Sequence, residues 1–274
     1  MRPDGGTQAG PPVDLRTDTP HSARIYDYLL GGKDHFPVDR EAAERMLLDW
    51  PSLRTSAVQS RAFMHRAARY LAAEQGVRQF LDIGTGIPTE PNLHQIVQSV
   101  APESRVVYVD NDPMVLVHAR ALFASAPEGR TVYVHADMRD PAGILKDRQL
   151  AGALDLDRPV ALSVIAVMQF VTDDAEARHI VEQLTEPLAP GSFLAMSMVT
   201  ADPDPEPILR VVREYNARGI PVRARDRARV EQLFGGLQLL DPGVVPVHHW
   251  RPDGSAPDAA DAEVAMYCGI ARKR

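Results

Sequence analysis

The run Phe80 to Ile83 carries Asp82 inside it and passes directly into Gly84-Thr85-Gly86. Two further apolar runs, 105–110 and 131–137, end in Asp110 and Asp137. Three carboxylates at the ends of three strand-like segments, one beside a glycine turn, suit a ligand that contains a nucleoside. Gly84 and Gly86 let the backbone approach a ligand closely, and a helix after the turn would offer free N–H groups. At the end of a second strand, Asp110 can accept from both hydroxyls of a ribose, with Asn111 beside it. Asp137 can accept from an adenine amino group while Met138 lies against the ring. The competing reading makes these acids helix caps, but Asp112-Pro113 and Asp140-Pro141 already supply caps of that kind.

Two nucleotide classes sit on such turns. A dinucleotide fingerprint needs a glycine or alanine three residues after Gly86, and Thr89 stands there. Pro88 and Pro91 offer no N–H to a pyrophosphate, and Asp82 would repel one. The same carboxylate attracts a ligand carrying an ammonium and a sulfonium. The turn therefore favours S-adenosylmethionine (SAM) over a nicotinamide cofactor, and a nicotinamide-dependent oxidoreductase is the weaker reading.

The elements that must position these residues follow from periodicity. Residues 1–20 are rich in Gly, Pro, Asp and Thr and predict a disordered tail. Residues 21–76 read as a helical cap. Ile25, Tyr28 and Leu29 share a helix that ends at Gly31-Gly32, a second helix covers 39–48, and a third covers 56–73. From 77 to 274 strands and helices alternate. The spacing predicts strands at 78–83, 105–110, 131–137, 160–171 and 192–199, then 237–245 and 264–273. It predicts helices from 90 with Thr89 as N-cap, from 113, from 141, over 173–188, 208–218 and 225–234. The 160–171 run is apolar throughout, as a central parallel strand covered on both faces should be. The last two strands have no helix between them and predict an antiparallel hairpin.

Composition narrows the function classes. Of 274 residues, 30 are Lys or Arg and 37 are Asp or Glu, giving a formal charge of −7. That lacks the basic footprint nucleic-acid binding requires. The single cysteine, Cys268, cannot form an internal disulfide, and no apolar run is long enough for a membrane span. The N-terminus has no signal-peptide core. The expectation is a cytoplasmic protein with no membrane or nucleic-acid partner.

The motifs "DIGTG", "YVDNDP" and "ADMRD" resemble the class I SAM-dependent methyltransferases. More narrowly, "ARIYDYLLGGKDHFPVDREAAER", "RQFLDIGTGIPT" and "VVYVDNDPMVLVHARALF" are similar to a largely uncharacterised bacterial family of these enzymes. The likeness runs from about residue 21 to "YCGIARK". It implies an α/β fold, a Rossmann-like doubly wound seven-stranded sheet with one antiparallel strand. It also implies that Asp82, Gly84, Thr85 and Gly86 line the methionine part of SAM, Asp110 and Asn111 the ribose, and Asp137 and Met138 the adenine. It does not supply the acceptor.

If the cap folds over the strand ends, Tyr26 or Tyr28 can face the sulfonium and Lys33 or Arg61 the SAM carboxylate. The plainer reading has the tyrosines packing, the glycines ending a helix, and Arg61 on a wet helix face. At the end of the fourth strand, Gln169 can orient an acceptor and Phe170 can wall the pocket. His35 and Tyr26 are the other candidates for a catalytic role. His248 and His249 alternate on an apparently extended segment, which turns their rings apart and argues against a metal site. His94 and His179 read as structural. The Asn-Pro-Pro-Tyr pattern of many nucleic-acid and protein methylating enzymes is absent, which with the acidic charge favours a small-molecule acceptor. The alternative from another class is a catalytically silent SAM-binding sensor or partner subunit. An exposed apolar patch on the cap would mark a homodimer.

Overall fold

The computed structural model describes residues 16–115 and 125–274. Most of the predicted 1–20 tail, and most of the helix expected after Asp112-Pro113, lie outside the described residues.

The strands are β1 (Gln79–Ile83), β2 (Arg105–Asp110), β3 (Arg130–His135), β4 (Ala161–Ile165), β5 (Phe193–Val199), β6 (Gln238–Leu239), β7 (Val245–Pro246) and β8 (Met266–Arg272). Their order is β3-β2-β1-β4-β5-β8-β6, with β7 also on β8. The first five are parallel, and β8 runs antiparallel to its neighbours. β6 lies opposite Arg272 and Ala271 and β7 opposite Cys268 and Tyr267, on one edge of β8. Together they are one interrupted strand, so the sheet has the seven positions expected of it. The 237–245 run breaks because Pro242 lacks an N–H and Gly243, at φ 81°, turns the chain.

Alternation along β1 and β2 sends Phe80, Val106 and Tyr108 to one face and Leu81, Val107 and Val109 to the other. Both faces are covered, so both sets are apolar. On the first face lie α3 (Leu53–Ala73) and α4 (Leu93–Val100), with Phe63, Leu71 and Ile96 in the shared core. The other face carries α5 (Pro141–Lys146), α6 (Arg148–Ala153) and α7 (Asp174–Thr185). Asp140 and Asp173 cap α5 and α7 through the N–H groups of Gly143 and Glu176.

The helices α1 (Ser22–Leu29) and α2 (Pro37–Asp49) pack instead against α8 (Pro205–Ala217). Ile25, Leu29, Met46 and Trp50 meet Ile208 and Val211 in a third apolar cluster over the strand ends. Residues 21–76 therefore divide: α1 and α2 cover, while α3 belongs to the layer on the sheet. The last helix, α9 (Arg227–Leu233), packs on α7 and the β6 side.

The helix after the glycine turn starts at Leu93, not near Glu90, and Thr89 does not cap it. Asn92 does, its N–H donating to Gln95 Oε1 at 2.6 Å. Pro91 disfavours helical backbone at Glu90, so residues 84–92 form a loop before the helix can begin. Leu93, Ile96 and Val97 of the expected stripe are buried, but Val100 at its end is exposed.

Candidate functional site

Above the C-terminal ends of β1, β2, β3 and β4, a cavity of about 740 Å³ lies under α1, Trp50 and α8. Its volume is within the roughly 300–1,000 Å³ usual for ligand pockets. Of the residues expected at a cofactor, Asp82, Gly84, Thr85, Gly86, Asp110, Asn111, Asp137, Met138 and Arg61 all line it.

The glycines have different tasks. A Cβ on Gly84 would sit 2.4 Å from Val167 at the end of β4, whereas one on Gly86 would point into open space. Both have positive φ, 70° and 69°. Gly84 is therefore needed by the neighbouring strand, and Gly86 keeps the cavity floor clear.

Asp82 is almost fully buried, and its Oδ2 accepts from the Thr85 hydroxyl at 3.1 Å. Burial pushes its carboxyl up to about 6, against the pull of Thr85 and the Arg61 charge. Asp110 accepts from Gly86 N–H at 2.7 Å and Asp112 N–H at 2.9 Å. Burial raises its pKa too, while those two N–H groups favour the anion. Asn111 Nδ2 donates to Asp137 Oδ2 at 3.3 Å, so these two residues act as a pair. Asp137 also accepts from the Arg139 N–H, and the Arg139 guanidinium reaches the Phe170 carbonyl at 2.7 Å.

Arg61 is not on a wet face. It turns inward from α3, donates to the Thr89 carbonyl and to the Pro91 carbonyl at 3.1 Å, and leaves its buried Nε without a partner. Burial lowers its pKa, and Tyr26 and Asp82 work in the opposite direction. The arrangement offers acids for an ammonium and a ribose, and a cation with an uncommitted N–H for a carboxylate. SAM carries all of these groups.

Other expectations are relocated. Lys33 is exposed and outside the cavity wall, and His35 is outside it as well. The reason is Asp27 on α1, whose carboxylate accepts from Asp34 N–H at 3.0 Å and contacts His35 Nδ1 at 2.9 Å. A Cβ at Gly32 would collide with that carboxylate, so "GGKDH" is a loop organised by Asp27. Tyr28 bonds Glu44 and leaves the site, while the Tyr26 ring lines the cavity with its hydroxyl on the Ala57 carbonyl.

His248 and His249 correct the sequence expectation. They lie on the 3-10 turn Val247–His249, so their rings converge, and both Nε2 atoms meet Asp261 Oδ1, at 2.9 and 2.8 Å. Neither lines the cavity. His94 is buried on Tyr108 and His179 is exposed.

Gln169 occupies the 3-10 turn Met168–Phe170 after β4. Its Nε2 donates to the Ala166 carbonyl at 2.7 Å, which fixes the amide, and its buried Oε1 has no partner. Ala166 itself has φ 54°, held by its N–H on Ser197. Arg225, which sequence reasoning missed, clamps this turn from below: its guanidinium bonds the Met168 and Val171 carbonyls and Asp174.

The opposite wall was also unforeseen. Ile208, Val211, Val212 and Tyr215 of α8 face the cavity at i, i+3, i+4, i+7 spacing, with Trp50 and Leu53 beside them. That stripe was visible in the sequence, but not the surface it meets. Arg16, Thr19, Pro20 and His21 also line the cavity, so the last residues of the predicted tail are part of the site. Arg24 holds this segment down through Asp112, at 3.0 and 3.1 Å.

Comparison with known proteins gives the site its context. No curated protein matches the chain significantly. A DUF574-family protein of known structure from Streptomyces avermitilis MA-4680 is 55% identical, with a TM-score of 0.93 over 95% of this chain and 100% of that one. A proposed methyltransferase from Thermobifida fusca YX is 38% identical, with a TM-score of 0.87 over 95% of this chain and 97% of that one. No helix among the described residues is long and apolar enough to cross a membrane. The S-adenosyl methyltransferase family model matches residues 8–274, which takes in the segment 16–21 that lines the cavity. The chain thus belongs to the S-adenosyl methyltransferase family and is a SAM-dependent methyltransferase.

Proposed function

We propose that the enzyme methylates a small molecule held between the strand ends and the α1–α2–α8 cover. The observation that carries this reading is one cavity with two unlike parts. An acidic, glycine-floored part beside β1, β2 and β3 joins an apolar part under Trp50, Ile208 and Val211.

When bound, SAM supplies a methyl group already activated on a sulfonium. In the proposed site Asp110 and Asn111 hold the ribose hydroxyls, Asp137 and Met138 the adenine, and Asp82 the ammonium. Arg61 offers its free Nε–H to the carboxylate. SAM held there would supply its methyl group to an acceptor lone pair, with the carbon–sulfur bonding pair going to sulfur and the acceptor proton to solvent. The protein's task is alignment, which can contribute about 7–11 kcal/mol in favourable cases. Gln169 and Phe170, on a turn fixed by Arg225, aim the acceptor. The cover gives the acceptor an apolar wall opposite the strand ends.

Asp82 makes cofactor binding dependent on pH. Free, its carboxyl titrates near 6, whereas the complex needs the anion beside an ammonium. Binding therefore expels a proton below pH 6 and none above it. The apparent Kd should rise by up to roughly tenfold per pH unit as the pH falls below 6. Asp82→Asn should lessen that slope, leaving the share of Asp110, whose carboxyl burial also raises. Calorimetry across pH measures it directly, and a wild-type profile with no slope would remove Asp82 from the ammonium.

The reading as a whole is tested by titrating the protein with SAM, S-adenosylhomocysteine, NAD and NADP side by side. Binding of the first two alone is the expected result. Selective binding of a dinucleotide would overturn the assignment of the glycine turn.

A further inference from the structure

The acceptor half of the cavity has a composition narrow enough to define its ligand. Its walls are Tyr26, Trp50, Phe170, Ile208, Val211 and Ile220. Most of these belong to the apolar cluster that joins the cover to the strand ends.

The charged groups that line the cavity are committed elsewhere. Arg24 is paired with Asp112, and Arg139 with Asp137 and Glu176. Arg16 lies at the ribose end, where its backbone carbonyl accepts from Arg24. Arg61 stands beside Asp82 and the 84–92 loop, on the cofactor side. His21 is on Asp112, and His135 contacts the Asn111 carbonyl. An anionic acceptor would thus enter the apolar half with no counter-ion, and a charge left unpaired in such a place is costly.

Two polar atoms in this half are uncommitted among the described residues. One is Gln169 Oε1, on a side chain that is 9% exposed. Because Nε2 is used on the Ala166 carbonyl, the remaining amide oxygen of this cavity-lining residue can only accept. The other is the half-buried Tyr215 hydroxyl on α8, which makes no hydrogen bond to any described residue. A buried acceptor without a donor is unfavourable by about 1–3 kcal/mol, and a ligand donor removes that penalty.

Resting on the methyltransferase reading, we propose that the acceptor is a neutral, largely apolar small molecule whose O–H or N–H donates to Gln169 Oε1. A second polar group on it meets the Tyr215 hydroxyl. The same walls disfavour phosphorylated and carboxylated acceptors.

The test uses the full chain saturated with S-adenosylhomocysteine, titrated at pH 7 with 2-naphthol, 2-methoxynaphthalene and 2-naphthoate. These share one ring system and differ in donor and charge. The expected result is binding of 2-naphthol at least roughly tenfold tighter than either of the others. Gln169→Leu should erase the preference for naphthol over its methyl ether, and Tyr215→Phe, which leaves the Gln169 oxygen in place, should retain it. Unchanged S-adenosylhomocysteine affinity in both variants shows that they are folded. Equal or tighter binding of naphthoate, a Gln169→Leu variant that keeps the preference, or a complex that takes up no naphthol would each overturn the proposal. Failure of S-adenosylhomocysteine itself to bind would instead overturn the cofactor reading beneath it.

Discussion

Asp110→Ala is expected to weaken SAM binding by about 1–3 kcal/mol, roughly 5- to 150-fold in Kd, the cost of leaving buried hydrogen-bonding groups unpaired. The carboxylate is buried and takes the N–H groups of Gly86 and Asp112 at 2.7 and 2.9 Å. Those bonds leave it lone pairs for a ribose, so its loss removes the ligand contact and unties the glycine turn at once. Asp112 is released with it, and Asp112 holds Arg24 and contacts His21 over the cavity. The effect should therefore lie toward the upper end of the range. Asp110→Asn should recover little, because an amide replaces one acceptor oxygen by a donor facing another donor. Isothermal titration with S-adenosylhomocysteine measures the change. An unaltered Kd in Asp110→Ala would sink the ribose assignment.

The largest effect on stability is expected from Arg225→Ala. The guanidinium is fully buried, with Nε on Asp174 at 2.8 Å, Nη1 on the Met168 carbonyl at 3.1 Å and Nη2 on the Val171 carbonyl at 2.6 Å. Truncation leaves the Val171 carbonyl unpaired, the Met168 carbonyl with only the Val171 N–H, and a void behind the turn that carries Gln169. Breaking a buried ion pair costs about 3–5 kcal/mol. Asp174 is partly solvated and keeps Arg223 at 3.0 Å, so the loss should fall near the lower figure, about 3 kcal/mol. Urea unfolding should show a lower midpoint with an unchanged slope. Because the clamp positions Gln169 and does not touch the cofactor, S-adenosylhomocysteine affinity should change less than acceptor affinity. A midpoint within error of wild type would show that the turn holds itself.

The sequence by itself determined the strands, most of the helices, and the acids at the strand ends. Those features are written in short-range periods: alternation over five or six residues, the i, i+3, i+4, i+7 stripe, and a glycine pair after an apolar run. Asp82, Asp110 and Asp137 were legible because a parallel sheet places the C-terminal ends of its strands together whatever the side chains between them. Boundaries were less legible where two local rules compete, as at Thr89, where a good capping residue is overruled by Pro91.

Only the tertiary structure decided which surfaces face the cavity. The α8 stripe could be read as amphipathic, but its partners on α1 and at Trp50 lie more than 150 residues away in the chain. Arg61 looked solvated because arginine on a helix usually is, until the 84–92 loop folded back to offer it carbonyls. Lys33 and His35 looked chemical until the buried carboxylate of Asp27 gathered their loop away from the site. Arg225 carries no local signature, since its value lies in three acceptors brought together from β4's far turn and α7. A periodic pattern specifies which face of an element is buried. What it is buried against depends on how layers close over one another, and here that closure makes both the glycine floor of the cavity and its apolar wall.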